Sequence, residues 1–119
     1  MKRTLIIGAS PNPARYSNKA AFRLVNTGHK IVNIGLRKGE AAGVEIEKPG
    51  EIHQKIHTIT LYISEKHQPE YYEYILNTKP KRLIFNPGTE NRELFEKAEK
   101  AGTEAIEACT LVMLATNQY

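Results

Sequence analysis

Aspartate is absent from this sequence, in which all thirteen acidic residues are glutamate. Receiver domains accept phosphate on an aspartate, and P-loop nucleotide hydrolases usually hold magnesium with one. A Ser-His-Asp triad requires one as well. The composition therefore disfavours all three of these protein classes.

Cysteine and long hydrophobic runs are also scarce. The single cysteine, Cys109, excludes an internal disulfide and is typical of a reducing compartment. The apolar run after Lys2 and Arg3 is shorter than the core of a signal peptide, and no segment is long enough to span a membrane. The four histidines are scattered along the chain, and we predict no metal site from them. We therefore expect a soluble cytoplasmic protein without a metal site or a membrane contact.

The length of 119 residues predicts one domain that covers residues 1–119. The net charge of +4 comes from lysine and arginine spread along the chain. Nucleic-acid binding usually requires a denser basic stripe with aromatic platforms. The charge favours a small polyanionic ligand over nucleic acid, and an ordinary basic surface is the alternative.

Apolar runs alternate with helical patterns along the whole chain. Strands are predicted at 4–9, 30–35, 57–64, 81–86 and 103–108, and helices at 17–28, 68–79, 92–102 and 109–115. Between them, residues 36–52 are polar and glycine-rich, so we expect a loop with a short edge strand and a helical turn near Pro49. This order predicts an α/β domain with a five-stranded parallel sheet and helices on both faces.

Parallel sheets of this kind bind ligands beyond the carboxyl ends of their strands. The segments predicted there are 8–17, 35–38, 62–64, 86–91 and 108–110. Each contains glycine, proline, hydroxyl, amide or basic residues, which is typical of the rim of a binding pocket.

The first of these segments, "GASPNPARYS", has features of a phosphate-binding loop although it lacks the G-x-G-x-x-G fingerprint. Gly8 permits a tight turn, and the following helix offers free N–H groups and a positive dipole end. Arg15 adds donors suited to phosphate oxygens, while Ser10 and Ser17 add hydroxyls. The alternative is a plain strand-to-helix loop with Ser17 as the helix N-cap.

The end of the second strand distinguishes between nucleotide ligands. An NAD site carries a carboxylate there for the ribose hydroxyls, whereas this chain has the neutral Asn33, then Gly35, Arg37 and Lys38. Two cations favour a ligand with an additional phosphate on its adenosine ribose, either NADP or coenzyme A. Solvated loop charges are the alternative.

Two further strand ends contribute candidates. Pro87 and Gly88 form a predicted turn before a helix that Thr89 or Asn91 caps, and this turn also suits an amide-bearing ligand. Cys109 follows the last strand among small and apolar residues. It is either a buried apolar residue or a thiol that lines the pocket.

At these same segments the chain resembles the small stand-alone CoA-binding domains, which are related to the N-terminal domain of the succinyl-CoA synthetase alpha subunit. The matching stretches are "IIGASPNPARYSNKAAFRL", "TGHKIVNIG", "TLYIS", "KRLIFNPGTENREL" and "EACTLVML". The resemblance implies a Rossmann-like three-layer domain that binds CoA across the carboxyl edge of its sheet. The synthetase's phosphohistidine has no counterpart in this chain.

The resemblance also implies roles for individual residues. The phosphate-bearing end of CoA would contact Gly8, Ala9, Ser10, Arg15, Tyr16 and Ser17. The rest of the ligand would lie along Tyr62, Ile63 and Ser64, and along Asn86, Pro87 and Gly88. Family members carry a proline-rich segment after strand 2, where this chain has "NIGLRKGE", so Arg37 and Lys38 depend on the charge argument.

We therefore expect a protein that binds coenzyme A or an acyl-CoA without catalysis of its own. One alternative is a small NADP-dependent or CoA-thiol-handling enzyme that uses Cys109. Another is a ligand-sensing subunit or a homodimer, because the tyrosine-rich "EYYEYI" helix has more aromatic surface than one face can bury. The residues of this helix expected to face the core are Tyr71, Tyr72, Ile75 and Leu76. The alternative to a contact surface is that Tyr74 lies along the surface with its hydroxyl in water.

Overall fold

A computed structural model describes residues 1–119. The strands are β1 (Thr4–Ile7), β2 (Ile31–Ile34), β3 (Glu40–Ala41), β4 (Val44–Glu47), β5 (Thr58–Leu61), β6 (Arg82–Phe85) and β7 (Glu104–Glu107). The helices are α1 (Tyr16–Asn26), α2 (Tyr72–Thr78), α3 (Arg92–Lys100) and α4 (Thr110–Ala115). Two 3-10 turns, Glu65–His67 and Pro69–Tyr71, precede α2. None of the helices has the length and hydropathy needed to cross a bilayer.

One seven-stranded sheet, with the order β3-β4-β2-β1-β5-β6-β7, forms the centre of the Rossmann-like α/β fold. The five predicted strands are present as β1, β2, β5, β6 and β7, and all of them pair in parallel. The prediction of only five strands is wrong, because β3 and β4 form an antiparallel hairpin and β4 continues the sheet beside β2. Ala42 and Gly43 turn this hairpin with positive φ angles of 55° and 77°, a pattern that suits the right-handed twist of the paired strands.

The sheet separates two apolar cores, as the continuous apolar strands predicted. Successive residues of a strand point to opposite faces, so Leu5 and Ile7 pack with Ile75 and Leu94 from α2 and α3. Ile6 points to the other face, where α1 and α4 complete a second core. This three-layer arrangement leaves only the two ends of the strands accessible, and the ligand site is expected at the carboxyl end.

Helix α1 begins one residue earlier than its predicted N-cap. The N-cap position is Arg15, whose side chain makes no capping hydrogen bond, and Ser17 lies in the first turn. The loop itself shapes this start, because Asn12 Oδ1 accepts from the Ala14 N–H at 2.9 Å and the Asn18 side chain donates to the Ser10 carbonyl at 2.9 Å. The hydroxyl of Ser17 is therefore not used as a cap.

The tyrosine-rich helix does not present the exposed aromatic surface that we expected. Tyr71 and Tyr74 are both buried in the core, and Tyr72 is half-buried. The predicted single helix is divided into two 3-10 turns and a short α2. Tyr71 and Tyr74 are three residues apart and share one face in either helical geometry, so the inward position expected for Tyr71 is confirmed and the exposed position expected for Tyr74 is wrong.

Candidate functional site

A cleft of about 650 Å³ opens where the loops after β1, β2, β5 and β6 meet. The chain leaves β1 for β2 on one side and returns to β5 on the other side, so strand order reverses between β1 and β5. Loops diverge at such a point and leave a crevice outside the carboxyl ends of the strands. The volume lies in the range of small-molecule sites.

Most of the residues predicted for the site line this cleft. The predicted residues among its walls are Gly8, Ala9, Ser10, Arg15, Tyr16, Ser17, Gly35, Arg37, Tyr62, Ile63, Ser64, Pro87 and Gly88. Three predicted residues, Lys38, Asn86 and Cys109, are not among the walls. The walls also contain five residues that were not named individually as site residues: Leu36 and Thr89, which lie within the predicted segments 35–38 and 86–91, and His67, Glu70 and Tyr71, which lie outside all the predicted segments.

Two glycines allow the loops to approach each other closely. Gly8 has a φ of +94°, and a Cβ there would lie 2.9 Å from the carbonyl carbon and oxygen of Tyr62. A Cβ at Gly35 would lie 2.4 Å from the carbonyl oxygen of Ala9. Real Cβ atoms do not approach backbone so closely, so any side chain at these positions would force the walls of the cleft apart.

The first turn of α1 supplies hydrogen-bond donors to the cleft. The N–H groups of Tyr16 and Ser17 have no partner in the protein, whereas those of Asn18 and Lys19 donate to the Arg15 carbonyl. Free N–H groups and the helix dipole together favour an anion at this position. The exposed side chain of Arg15 lies at the same end of the cleft, so the turn is equipped to hold a phosphate.

The second cation of the cleft comes from the loop after β2. Gly35 packs against Ala9, which brings Arg37 into the same cleft as Arg15. Lys38 instead lines a neighbouring groove with Glu40, Glu45 and Glu47 from the β3–β4 hairpin. Lys38 therefore lies outside the cleft, in a groove that also contains Lys48.

Asn86 lies behind the cleft wall and is almost fully buried. Its side chain donates to Thr60 Oγ1 at 2.6 Å and to the Leu61 carbonyl at 2.8 Å, and its Oδ1 accepts from the Thr110 N–H at 2.9 Å. Both of its amide donors and its side-chain oxygen thus take part in hydrogen bonds that join β5, β6 and α4. The structure therefore gives Asn86 a role in holding the sheet edge.

Cys109 is half-buried immediately before α4 and outside the cleft. The hydroxyl of Tyr62 is buried without a hydrogen-bond partner. Burial raises the pKa of this phenol above its ordinary value, and the nearby Cys109 raises it further. Tyr62 is therefore a neutral phenol at physiological pH.

The three wall residues outside the predicted segments come from the irregular segment after β5. His67, Glu70 and Tyr71 belong to the two 3-10 turns, which the sequence pattern presented as part of one helix. Burial raises the pKa of Tyr71, and the adjacent Glu70 adds to this. The closely spaced polar residues before Tyr72 are the one sequence feature that could have indicated that this segment faces the cleft.

A group of possible metal ligands lies outside the cleft. One ligand atom from each of Glu47, Glu51 and His53 falls within 4.8 Å of the others. His53 Nε2 lies 3.0 Å from Glu47 Oε1, which accounts for the proximity of those two side chains as an ion pair or hydrogen bond.

Comparisons with known proteins agree with this architecture. A family model described as a CoA binding domain matches residues 2–115. A crystal structure of an uncharacterized protein is 46% identical, with a TM-score of 0.98, and the match covers 100% of this chain and 98% of that one. A hypothetical protein from Pyrococcus horikoshii OT3 is 26% identical over 97% of this chain and 82% of its own, with a TM-score of 0.87. A conserved hypothetical protein from Pyrococcus furiosus is 25% identical over 94% and 98%, with a TM-score of 0.81. Among curated proteins none matches the chain.

Proposed function

Because the chain belongs to the CoA-binding domain family, we propose that its cleft binds coenzyme A or an acyl-CoA, without catalysis of its own. The observation that carries the proposal is the meeting of the α1 N-terminus, Arg15 and Arg37 at one cleft beyond the carboxyl ends of β1 and β2. This arrangement supplies free N–H groups, a helix dipole and two guanidinium groups to a polyanionic ligand.

The pyrophosphate of CoA is assigned to the first turn of α1. The free N–H groups of Tyr16 and Ser17 point out of the helix end, and Gly8 lets the ligand approach the backbone. Arg15 provides a planar set of donors that suits phosphate oxygens. These donors and the positive end of the helix dipole would offset the negative charge of a bound phosphate.

The adenosine end is assigned to the loop after β2. Asn33, at the position where an NAD site has a carboxylate, donates its amide N–H groups to the carbonyls of Ala41 and Val44 at 3.0 and 3.1 Å. It therefore holds the β3–β4 hairpin and faces no ribose. Arg37 is the cation of this loop that lines the cleft, so it is the residue proposed to meet the ribose phosphate.

The uncharged arm of CoA is assigned to the walls formed after β5 and β6. These walls contain Ile63, Ser64, Pro87 and Gly88, which offer apolar surface, a hydroxyl and backbone groups. Pantetheine amides require such neutral donors and acceptors. Glu70 is the single carboxylate of this wall and disfavours acyl groups that carry a negative charge.

Isothermal titration with CoA, 3′-dephospho-CoA and NADP tests the proposal. We expect saturable CoA binding that weakens by about 1.5–3 kcal/mol without the 3′-phosphate, the usual value of a charge-assisted contact. A preference for NADP would redirect the proposal to a dinucleotide, and no binding of any of the three ligands would refute it.

The enzymatic alternative and the regulatory alternative need different experiments. An enzyme that uses Cys109 requires turnover that is lost in Cys109→Ala, whereas the proposed binding protein keeps its CoA affinity in that variant. A sensing subunit or a homodimer requires a change of solution mass with a partner or with concentration. Light scattering with and without CoA measures this mass and tests the sensing subunit and the homodimer.

A further inference from the structure

Gln68 is fully buried although glutamine is usually a surface residue. It stands between the two 3-10 turns, in a segment whose neighbours Ser64, His67 and Glu70 line the cleft. Its own side chain is directed behind the cleft wall. A buried amide must satisfy its donors and acceptor there, so its hydrogen bonds define its role.

The side chain of Gln68 connects two loops and a helix start. Its Nε2 donates to the Ile63 carbonyl at 3.0 Å and to the Thr89 carbonyl at 2.7 Å. Its Oε1 accepts from Asn91 Nδ2 at 2.9 Å, and Asn91 in turn caps α3 by accepting from the Leu94 N–H. Ile63 and Thr89 are both wall residues of the cleft, on different loops.

No other hydrogen bond links the main chains of these loops beyond the sheet. The parallel ladder of β5 and β6 ends at the pair Leu61 and Phe85, and Asn86 joins the strand ends through the Leu61 carbonyl. Past that point the Tyr62 N–H donates to the Ile7 carbonyl of β1, and the other main-chain hydrogen bonds of each loop are local, such as His67 N–H to the Ser64 carbonyl. Asn91 Nδ2 also donates to the Tyr72 hydroxyl at 2.8 Å and links the starts of α2 and α3, but Gln68 alone joins the Ile63 and Thr89 carbonyls.

We propose that Gln68 is a positioning residue that sets the separation of Ile63 and Thr89, and through it the fit of the pantetheine arm of CoA. The identity of the ligand in this inference, CoA, rests on the proposed function. The two walls that Gln68 joins belong to the loops after β5 and β6, whereas the α1 N-terminus and Arg37, which are assigned to the phosphates, belong to the loops after β1 and β2. Loss of the bridge therefore weakens binding of the arm and spares binding of the nucleotide end.

The test compares two ligands on the variant Gln68→Met, which keeps the side-chain length and removes all three hydrogen bonds. The first ligand is CoA, and the second is adenosine 3′,5′-bisphosphate, which lacks the pantetheine arm. We expect the CoA dissociation constant to rise about tenfold, as the loss of one to two net hydrogen bonds implies. The nucleotide constant stays unchanged, because the α1 turn and Arg37 are untouched.

The matched control is Thr103→Val. Thr103 is also buried and donates one hydrogen bond to the Pro80 carbonyl at 2.9 Å. Both residues lie at the amino ends of β6 and β7, away from the carboxyl ends where the cleft opens. Loss of this hydrogen bond should lower the free energy of unfolding without changing the cleft. Both ligands should therefore bind this variant with the same affinity as the unsubstituted protein. Equal weakening of both ligands in Gln68→Met, or no weakening of CoA, would overturn the proposal.

Hydrogen exchange on the ligand-free protein provides a readout that does not depend on CoA. Gln68→Met should accelerate exchange at the His67 and Thr89 amides together, since both loops lose their common support. Thr103→Val should leave both amides unchanged. Unaltered exchange would overturn the bridge itself, whereas failure of the unsubstituted protein to bind CoA would refute the proposed function and leave this readout valid.

Discussion

The close approach at Gly8 leads to the sharpest stability prediction. Gly8 and Gly28 have nearly the same backbone conformation, with φ values of +94° and +90°. A Cβ at Gly8 would meet the Tyr62 carbonyl group at 2.9 Å and Ile63 Cγ2 at 3.0 Å, whereas a Cβ at Gly28 has nothing within 4 Å. Alanine at each position therefore separates the cost of the conformation from the cost of the contact.

Both substitutions carry the left-handed backbone penalty of about 1–2 kcal/mol. Both also gain about 0.4–1 kcal/mol because the unfolded chain is less flexible, so these two contributions cancel in the comparison. Gly8→Ala additionally forces the loops after β1 and β5 apart, which overpacking data place at about 1–3 kcal/mol. We expect Gly8→Ala to be less stable than Gly28→Ala by that amount.

Urea denaturation of both variants measures this difference in the free energy of unfolding. Titration with CoA completes the experiment, because only Gly8→Ala displaces a wall of the cleft. Equal free energies of unfolding within about 0.5 kcal/mol, the scale of ordinary surface substitutions, would show that the loop relaxes and that the close approach does not constrain the cleft.

Three further predictions concern charge, capping and titration. Arg15→Ala should weaken CoA binding by about 1.5–3 kcal/mol in a titration, whereas Arg23→Ala in the exposed last turn of α1 should have no effect. Asn91→Ala should lower the free energy of unfolding by about 1–2 kcal/mol, because the Leu94 N–H loses its cap. Denaturation measures this change, and a decrease in the free energy of unfolding that is smaller than for an alanine substitution at an exposed site would contradict the prediction. Burial raises the pKa of Tyr74 from 10.0 to about 12, so its contribution to stability is complete below pH 10 and is lost as pH rises through 12. The melting temperature should fall less steeply between pH 10 and 12 in Tyr74→Phe, and parallel curves would contradict the assignment.

The order of the strands and helices followed from local patterns. A continuous apolar run at β1 and apolar or β-branched runs at β2, β5 and β6 predicted strands of a sheet covered on both faces, and each of these strands is fully buried. The β3–β4 hairpin was missed as a strand pair, since its two-residue β3 has almost no apolar pattern. It forms because β2 leaves an open edge that β4 can pair with.

Several residues of the cleft were predicted because parallel strands bring their carboxyl ends to one edge. Gly8, Arg15, Ser64 and Pro87 were named on that basis and lie together. The direction of each side chain could not be predicted from its position along the chain. Asn86 turns inward to satisfy Thr60, Leu61 and Thr110, although its position in the chain is that of a wall residue.

Local sequence determined the alternation of strands and helices, the parallel sheet and the edge at which a ligand is expected, because apolar periodicity and turn chemistry act over a few residues. It also determined the family. Only the tertiary structure decided which side chains face the cleft, that Lys38 lies in another groove, and that Gln68 joins two loops. These depend on hydrogen bonds and packing between residues far apart in the chain, such as Gln68 and Thr89, which no local pattern encodes.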